Sequence, residues 1–191
     1  MKRRALTGKG FLAALLMSGF LIAVASLAQA VIPVPHTTLP FSCIDGCLQD
    51  DPGKFRGMWW GQYLGELKGM RFVSSDPKNL GELYYVKQGD TLELSGVKLE
   101  YVQYGFWQGL FSSVAYGTQG EKSWLGLRQA CFDNFGRWYQ PDKAQEKYYW
   151  TGRHSAMVLE YNFATESGQL YVYSKTIYER QLVAARKGGL R

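Results

Sequence analysis

The chain has 191 residues, 46% of them hydrophobic and 15% aromatic, and a formal net charge of +6. Four of its 22 basic residues (Lys2, Arg3, Arg4 and Lys9) stand at the N-terminus, and the body from Val31 to Tyr178 carries 14 basic against 15 acidic side chains. A protein that tracks phosphates along a nucleic acid needs a stripe of Lys and Arg; this body has none, which excludes nucleic acid as a partner.

The N-terminal charges precede an apolar run from Phe11 to Ala25, and Ala28-Gln29-Ala30 follows as a small-residue cleavage site. That order describes a secretory signal peptide over residues 1–30, with a mature chain Val31–Arg191 in the periplasm or secreted. An uncleaved anchor stays open, since the apolar stretch from Phe11 to Val31 approaches spanning length; the membrane would then be a partner only through that leader. Arg3-Arg4 leaves a twin-arginine route open as well. A lipoprotein anchor is rejected, because the first cysteine is Cys43.

Residues 31–54 read as a Pro-rich tether and a small Cys43-Ile-Asp-Gly-Cys47 loop, closed by the turn cluster Gln49-Asp-Asp-Pro-Gly53. A single α+β domain is expected over 55–178. Met70–Ser74 and Glu82–Lys87 read as strands, Gln88-Gly89-Asp90 turns into Thr91–Leu94, and Val97–Phe106 is the longest strand candidate. Its apolar positions change phase midway, which predicts a bulge or a strand covered on both faces. Gln108-Gly109 predicts a tight turn into Leu110–Tyr116.

Thr118-Gln-Gly-Glu121 has capping-box spacing, and Trp124, Leu127, Cys131 and Phe135 recur at helical intervals. The main helix is therefore expected at about 119–135. Strands follow at Lys147–Thr151, Ser155–Phe163 and Gln169–Thr176. Thr176-Ile-Tyr-Glu179 predicts a short helix over Ile177–Arg186, within a basic C-terminal tail of residues 179–191. The aromatic pattern Tyr84-Tyr85-Val86 … Tyr104-Gly105-Phe106 recurs as Tyr148-Tyr149-Trp150 … Tyr161-Asn162-Phe163, a hint of two similar helix-plus-strands halves, with Trp59–Glu66 as a shortened counterpart of the helix. The fold class expected is α+β, built on an antiparallel sheet.

Few residues carry chemistry. Only His36 and His154 are histidines, and neither has the company that a nucleophilic triad needs, so no catalytic residue is assigned. Export favours a Cys43–Cys47 disulfide; pairing with Cys131, or metal or redox work, stays open. Cys131 itself falls on the apolar helical stripe and reads as a buried free thiol. Asp45, Asp50 and Asp51 lack calcium-loop spacing, and no metal or cofactor is expected. Glu100 and Glu160 are the best-placed acids for hydrolysis of an envelope polymer. Trp59, Trp107 and Tyr149, at expected hairpin ends, are the candidate ligand or partner contacts.

Phe55-Arg-Gly-Met-Trp-Trp-Gly61, Leu67–Met70, Val97–Phe106 and Tyr148–Gly152 together resemble an uncharacterised family of small exported bacterial proteins. Members carry an Arg-Gly-x-x-Trp-Gly motif near the start of the domain and a Tyr-Gly-Phe-x-x-Gly hairpin. The resemblance spans about residues 55–176; it implies one exported domain and transfers no functional residue. The reading favoured is a non-enzymatic binding or interaction domain for a small ligand or an envelope protein, with the hydrolase as the alternative.

Overall fold

The computed structural model describes residue 51 and residues 53–76 and 80–187. The leader, the Pro-rich stretch and both Cys43 and Cys47 lie outside the described residues. The chain enters through a small hairpin, β1 (Lys54–Phe55) and β2 (Met58–Trp59), and a 3-10 turn at Leu64–Glu66. Strands β3 (Met70–Asp76), β4 (Glu82–Lys87), β5 (Glu93–Leu94), β6 (Val97–Lys98), β7 (Tyr101–Trp107) and β8 (Leu110–Gln119) lead into helix α1 (Glu121–Phe135). Strands β9 (Lys147–Thr151), β10 (Ser155–Asn162) and β11 (Ser167–Ser174) lead into helix α2 (Lys175–Lys187). Seven strands form one antiparallel sheet in the order β3-β4-β7-β8-β11-β10-β9. The α+β class and the antiparallel sheet are as the composition and spacing indicate.

Two motif glycines are explained by backbone geometry. Arg56 and Gly57 both have positive φ (49° and 80°), as do Gln108 and Gly109 (51° and 79°), so each pair closes a two-residue hairpin whose turn follows the twist of its strands. Arg56 also reaches across to the loop after β4, pairing with the Asp90 carboxylate at 2.7 Å and donating to the Thr91 carbonyl. Asp90 accepts in turn from the Tyr104 hydroxyl at 2.5 Å. The Arg-Gly motif therefore fastens the entry hairpin to the sheet.

Several expected boundaries move. The single strand 97–106 is two, because Leu99 N–H donates to Leu92 O and Glu100 N–H to Gly117 O, which takes Leu99 and Glu100 out of a regular ladder. This break accounts for the change of phase, and a bulge between Gly105 and Phe106 against β8 adds to it. Both capping boxes fail. Thr118 lies in β8 and gives its hydroxyl to Gly168 O at 3.4 Å, so α1 starts at Gly120 without a side-chain cap. At α2 the cap is Ser174, whose Oγ accepts from Ile177 N–H. The helix expected over Ile177–Arg186 is present and slightly longer, Lys175–Lys187, so most of the basic tail is helical.

The core lies mainly between α1 and one face of the sheet: Trp124, Leu127 and Cys131 meet Tyr104, Phe106, Tyr116, Trp150, Met157, Leu159 and Leu170. Burying such side chains removes their apolar surface from water at roughly 25 cal/mol per Å². The opposite face carries Ala115, Ala156, Tyr171 and Tyr173, with Tyr178 of α2 packed on Tyr173 at 5.2 Å. The suspected repeat of a helix followed by strands is not found, since Trp59–Glu66 holds only the end of β2 and the 3-10 turn; a likeness in topology appears instead with each helix after its strands. The runs β4-β7-β8-α1 and β9-β10-β11-α2 share one strand order, but Tyr84 pairs with Gly105 whereas Tyr149 pairs with Val158, so the aromatic echo does not occupy equivalent rungs.

Candidate functional site

A cavity of about 450 Å³ opens at the end of the sheet where β10 begins and β11 ends, lined by Asp51, Gly53, Trp59, Trp60, Gly61, His154, Ser174, Thr176, Ile177 and Arg180. Its walls come from three parts of the chain. The entry segment runs along the start of β8, with Gly61 N–H on Phe111 O and Leu64 N–H on Gly109 O at 2.9 and 2.8 Å. The β9–β10 turn supplies His154, and the first turns of α2 supply the remainder.

The two adjacent tryptophans have opposite assignments. Trp60 is stacked on Phe111 at 4.8 Å and packs on Phe55 at 5.4 Å, and its indole N–H donates to Ser155 Oγ at 2.8 Å. Trp59 points outward, 57% exposed, with Lys54 Nζ 5.0 Å from its ring centre. Trp60 is structural, while Trp59 presents an aromatic face at the mouth of the cavity.

Asp51, His154 and Ser155 lie together and invite comparison with a catalytic triad. The bonding is different. The Asp51 carboxylate takes the main-chain N–H of His154, the N–H of Ser155 at 3.1 Å and the Ser155 hydroxyl at 2.7 Å. No imidazole stands between serine and acid, and Ser155 is 0% exposed, so its oxygen cannot reach a substrate. The group is a polar staple that fixes the entry segment to a turn about a hundred residues away. Burial raises the Asp51 pKa, but the bonds from His154 and Ser155 and the nearby His154 charge outweigh it and hold the carboxyl below its ordinary range. Gly152 makes the approach possible: a Cβ there would lie 2.5 Å from Asp51 Oδ2.

The structure separates the three predicted contacts. Trp59 lines the cavity. Trp107, half-buried, pairs with Leu110 at the same end of the sheet, outside the cavity lining. Tyr149 lies in β9, an edge strand four places from β7, where Lys147 Nζ sits 5.9 Å from its ring. Sequence reasoning missed Tyr63, 55% exposed beside the Gly109 turn. It also assigned Asp51 and Arg180 to a tether and a tail, because only tertiary contacts place them here.

The two acidic candidates lie on different strands of the sheet. Glu160 is bonded to Lys147 at 2.6 Å. Glu100 bonds through its N–H to Gly117, Gly117 pairs with Gln169 and Gln169 with Glu160. Three strand spacings put the two backbones about 14 Å apart, and of the two carboxylates Glu160 is held by Lys147. Cys131 is a buried free thiol, as its place on the helical stripe indicates, and burial pushes its pKa up.

One carboxylate is wholly internal. Glu82, 1% exposed, receives the hydroxyls of Ser112, Ser113 (2.9 Å), Tyr84 (2.8 Å) and Tyr171 (3.1 Å). Gly105 leaves room for it, since a Cβ there would meet Ser113 Oγ at 2.0 Å and the Glu82 carboxyl at 2.7 Å. Burial raises the Glu82 pKa, opposed by these hydroxyls. Among the described residues no three His, Cys, Asp or Glu side chains converge as a metal site, and no helix is long and apolar enough to cross a membrane. No family model, no curated protein and no solved structure matches the chain.

Proposed function

We propose that the protein is an exported, non-enzymatic binding domain, periplasmic or secreted, that takes a small ligand or part of an envelope protein in the cavity beside Trp59. The observation that carries this reading is the pairing of an exposed indole with a formed cavity in which the Asp51 carboxylate and the Ser155 hydroxyl are committed to structure. The leader-like N-terminus and the resemblance to small exported proteins support the address. The engagement of Glu160 by Lys147 favours this reading over the hydrolase alternative.

Native mass spectrometry of the protein purified from its own envelope tests the reading. A bound mass that is lost in Trp59→Ala supports it; a bare chain, with Trp59→Ala indistinguishable from wild type in every ligand screen, counts against it. The same spectrum reports processing, since cleavage after Ala30 leaves the Val31–Arg191 mass. Thiol alkylation with and without reductant tests the proposed Cys43–Cys47 disulfide.

A further inference from the structure

We infer that the ligand of this cavity is an acidic sugar: a monosaccharide-sized, hydroxyl-rich ring that bears a carboxylate or a phosphate, the ring lying on Trp59 and the anionic group held by Arg180. The inference rests on the proposed binding role of the cavity and deepens it.

The hydrogen-bonding inventory of the walls leads to this chemistry. An ionised carboxylate offers about four acceptor positions, and Asp51 has spent three on His154 N–H, Ser155 N–H and the Ser155 hydroxyl. One acceptor position is left on that wall. Arg180, on the facing wall, is exposed, and no hydrogen bond or ion pair engages it among the described residues. Its guanidinium brings five N–H donors in a planar fork, a geometry matched by the paired oxygens of a carboxylate or phosphate. Lys54 adds a second positive charge at the Trp59 rim. Arg180 balances Asp51 in the lining and Lys54 tips the mouth to a net positive charge, while the free N–H donors of Arg180 outnumber the one acceptor left on Asp51; the complement is an acceptor-rich anion.

The remaining lining fixes the body of the ligand. Thr176 and His154, both exposed, supply short-range polar groups suited to ring hydroxyls, and Trp59 supplies a flat apolar face. A volume of about 450 Å³ falls in the range of small-molecule sites and is too small for a folded partner. A neutral sugar would leave Arg180 without its counter-charge, and a purely aromatic acid would leave the hydroxyl and imidazole groups unused.

The test is calorimetric titration of the full chain with three probes: glucuronic acid, glucose 6-phosphate and glucose. Wild type is expected to bind at least one of the acidic sugars about tenfold or more tightly than glucose, the advantage of a charge-assisted bond. Which acid binds distinguishes a uronic-type carboxylate from a phosphate. Arg180→Gln, on the exposed side of α2, is expected to abolish that preference while leaving the thermal transition unchanged. Trp59→Ala is expected to weaken all three probes together. Equal affinity for acidic and neutral sugars, or a preference that survives Arg180→Gln, overturns the assignment of an acidic ligand; if Trp59→Ala still weakens those probes, the cavity reading stands without it. Absence of binding by all three probes overturns the sugar assignment, and a native envelope ligand whose binding is insensitive to Trp59→Ala overturns the cavity reading itself.

Discussion

Glu82 concentrates more polar chemistry than any other single buried side chain described here, and it does so where the sequence offers no warning. In Glu82-Leu-Tyr-Tyr-Val the acid stands at the head of a strand, where charged residues are ordinarily solvated. Its partners come from β4, β8 and β11, so only tertiary structure reveals them. Burial gives it a folded pKa above the ordinary value near 4.5. As pH rises, the unfolded chain loses this proton first, so in the window above 4.5 the folded state holds more protons and stability falls. The wild-type advantage over Glu82→Gln should therefore be largest near pH 4 and shrink towards neutrality, as read by urea midpoints across that range. Glu82→Ala, which leaves four hydroxyls without their acceptor and opens a cavity, should cost about 3 kcal/mol or more. Equal pH slopes for wild type and Glu82→Gln would remove Glu82 as the source.

The helices show where pattern reading succeeds and where it stops. The 3.6-residue stripe placed α1 correctly, since Trp124, Leu127 and Cys131 are its buried face. Neither capping box forms, for one reason: a capping box is a local pattern, and at each site a neighbouring strand claims or supplies the hydroxyl. Thr118 is held by Gly168 O across the β8–β11 pair, while Ser174, the last residue of β11, caps α2. Ser174→Ala should lower stability by about 1 kcal/mol, the usual worth of a cap, whereas Thr118→Val should cost less, losing one long hydrogen bond and no cap. Thermal melts of the two variants measure the difference; an equal or reversed order would restore Thr118 as the cap. The split between β6 and β7 was legible only as a change of phase, because the hydrogen bonds that break the strand reach to Leu92 and Gly117.

At the scale of the molecule, sheet, class and main helix could be read from the sequence, whereas the site could not. Trp59 was found because a bulky aromatic beside a turn is a local signal. Asp51 and Arg180 were not, because their relevance depends on one contact: the staple that ties the entry segment to the β9–β10 turn and so sets the cavity wall. That staple has its own pH dependence, opposite in sign to that of Glu82. The bonds from His154 and Ser155 hold the Asp51 pKa below its ordinary value near 3.8, so its contribution is complete above that value and is lost as pH falls through the folded pKa. Asp51→Asn keeps the shape but loses the charge that strengthens those three bonds, and should cost about 1–2 kcal/mol at pH 7, modest because the group is partly solvated. Its penalty should vanish at low pH, where wild-type Asp51 is itself protonated. Hydrogen exchange then separates a local staple from a global one. If Asp51 anchors only the entry segment, Asp51→Asn should speed exchange at the Gly61, Leu64 and Ser155 amides while leaving the central β8–β11 ladder as protected as in wild type. Uniform acceleration throughout the sheet would mean that the entry segment is part of the global folding unit, and that the cavity wall cannot loosen without the fold.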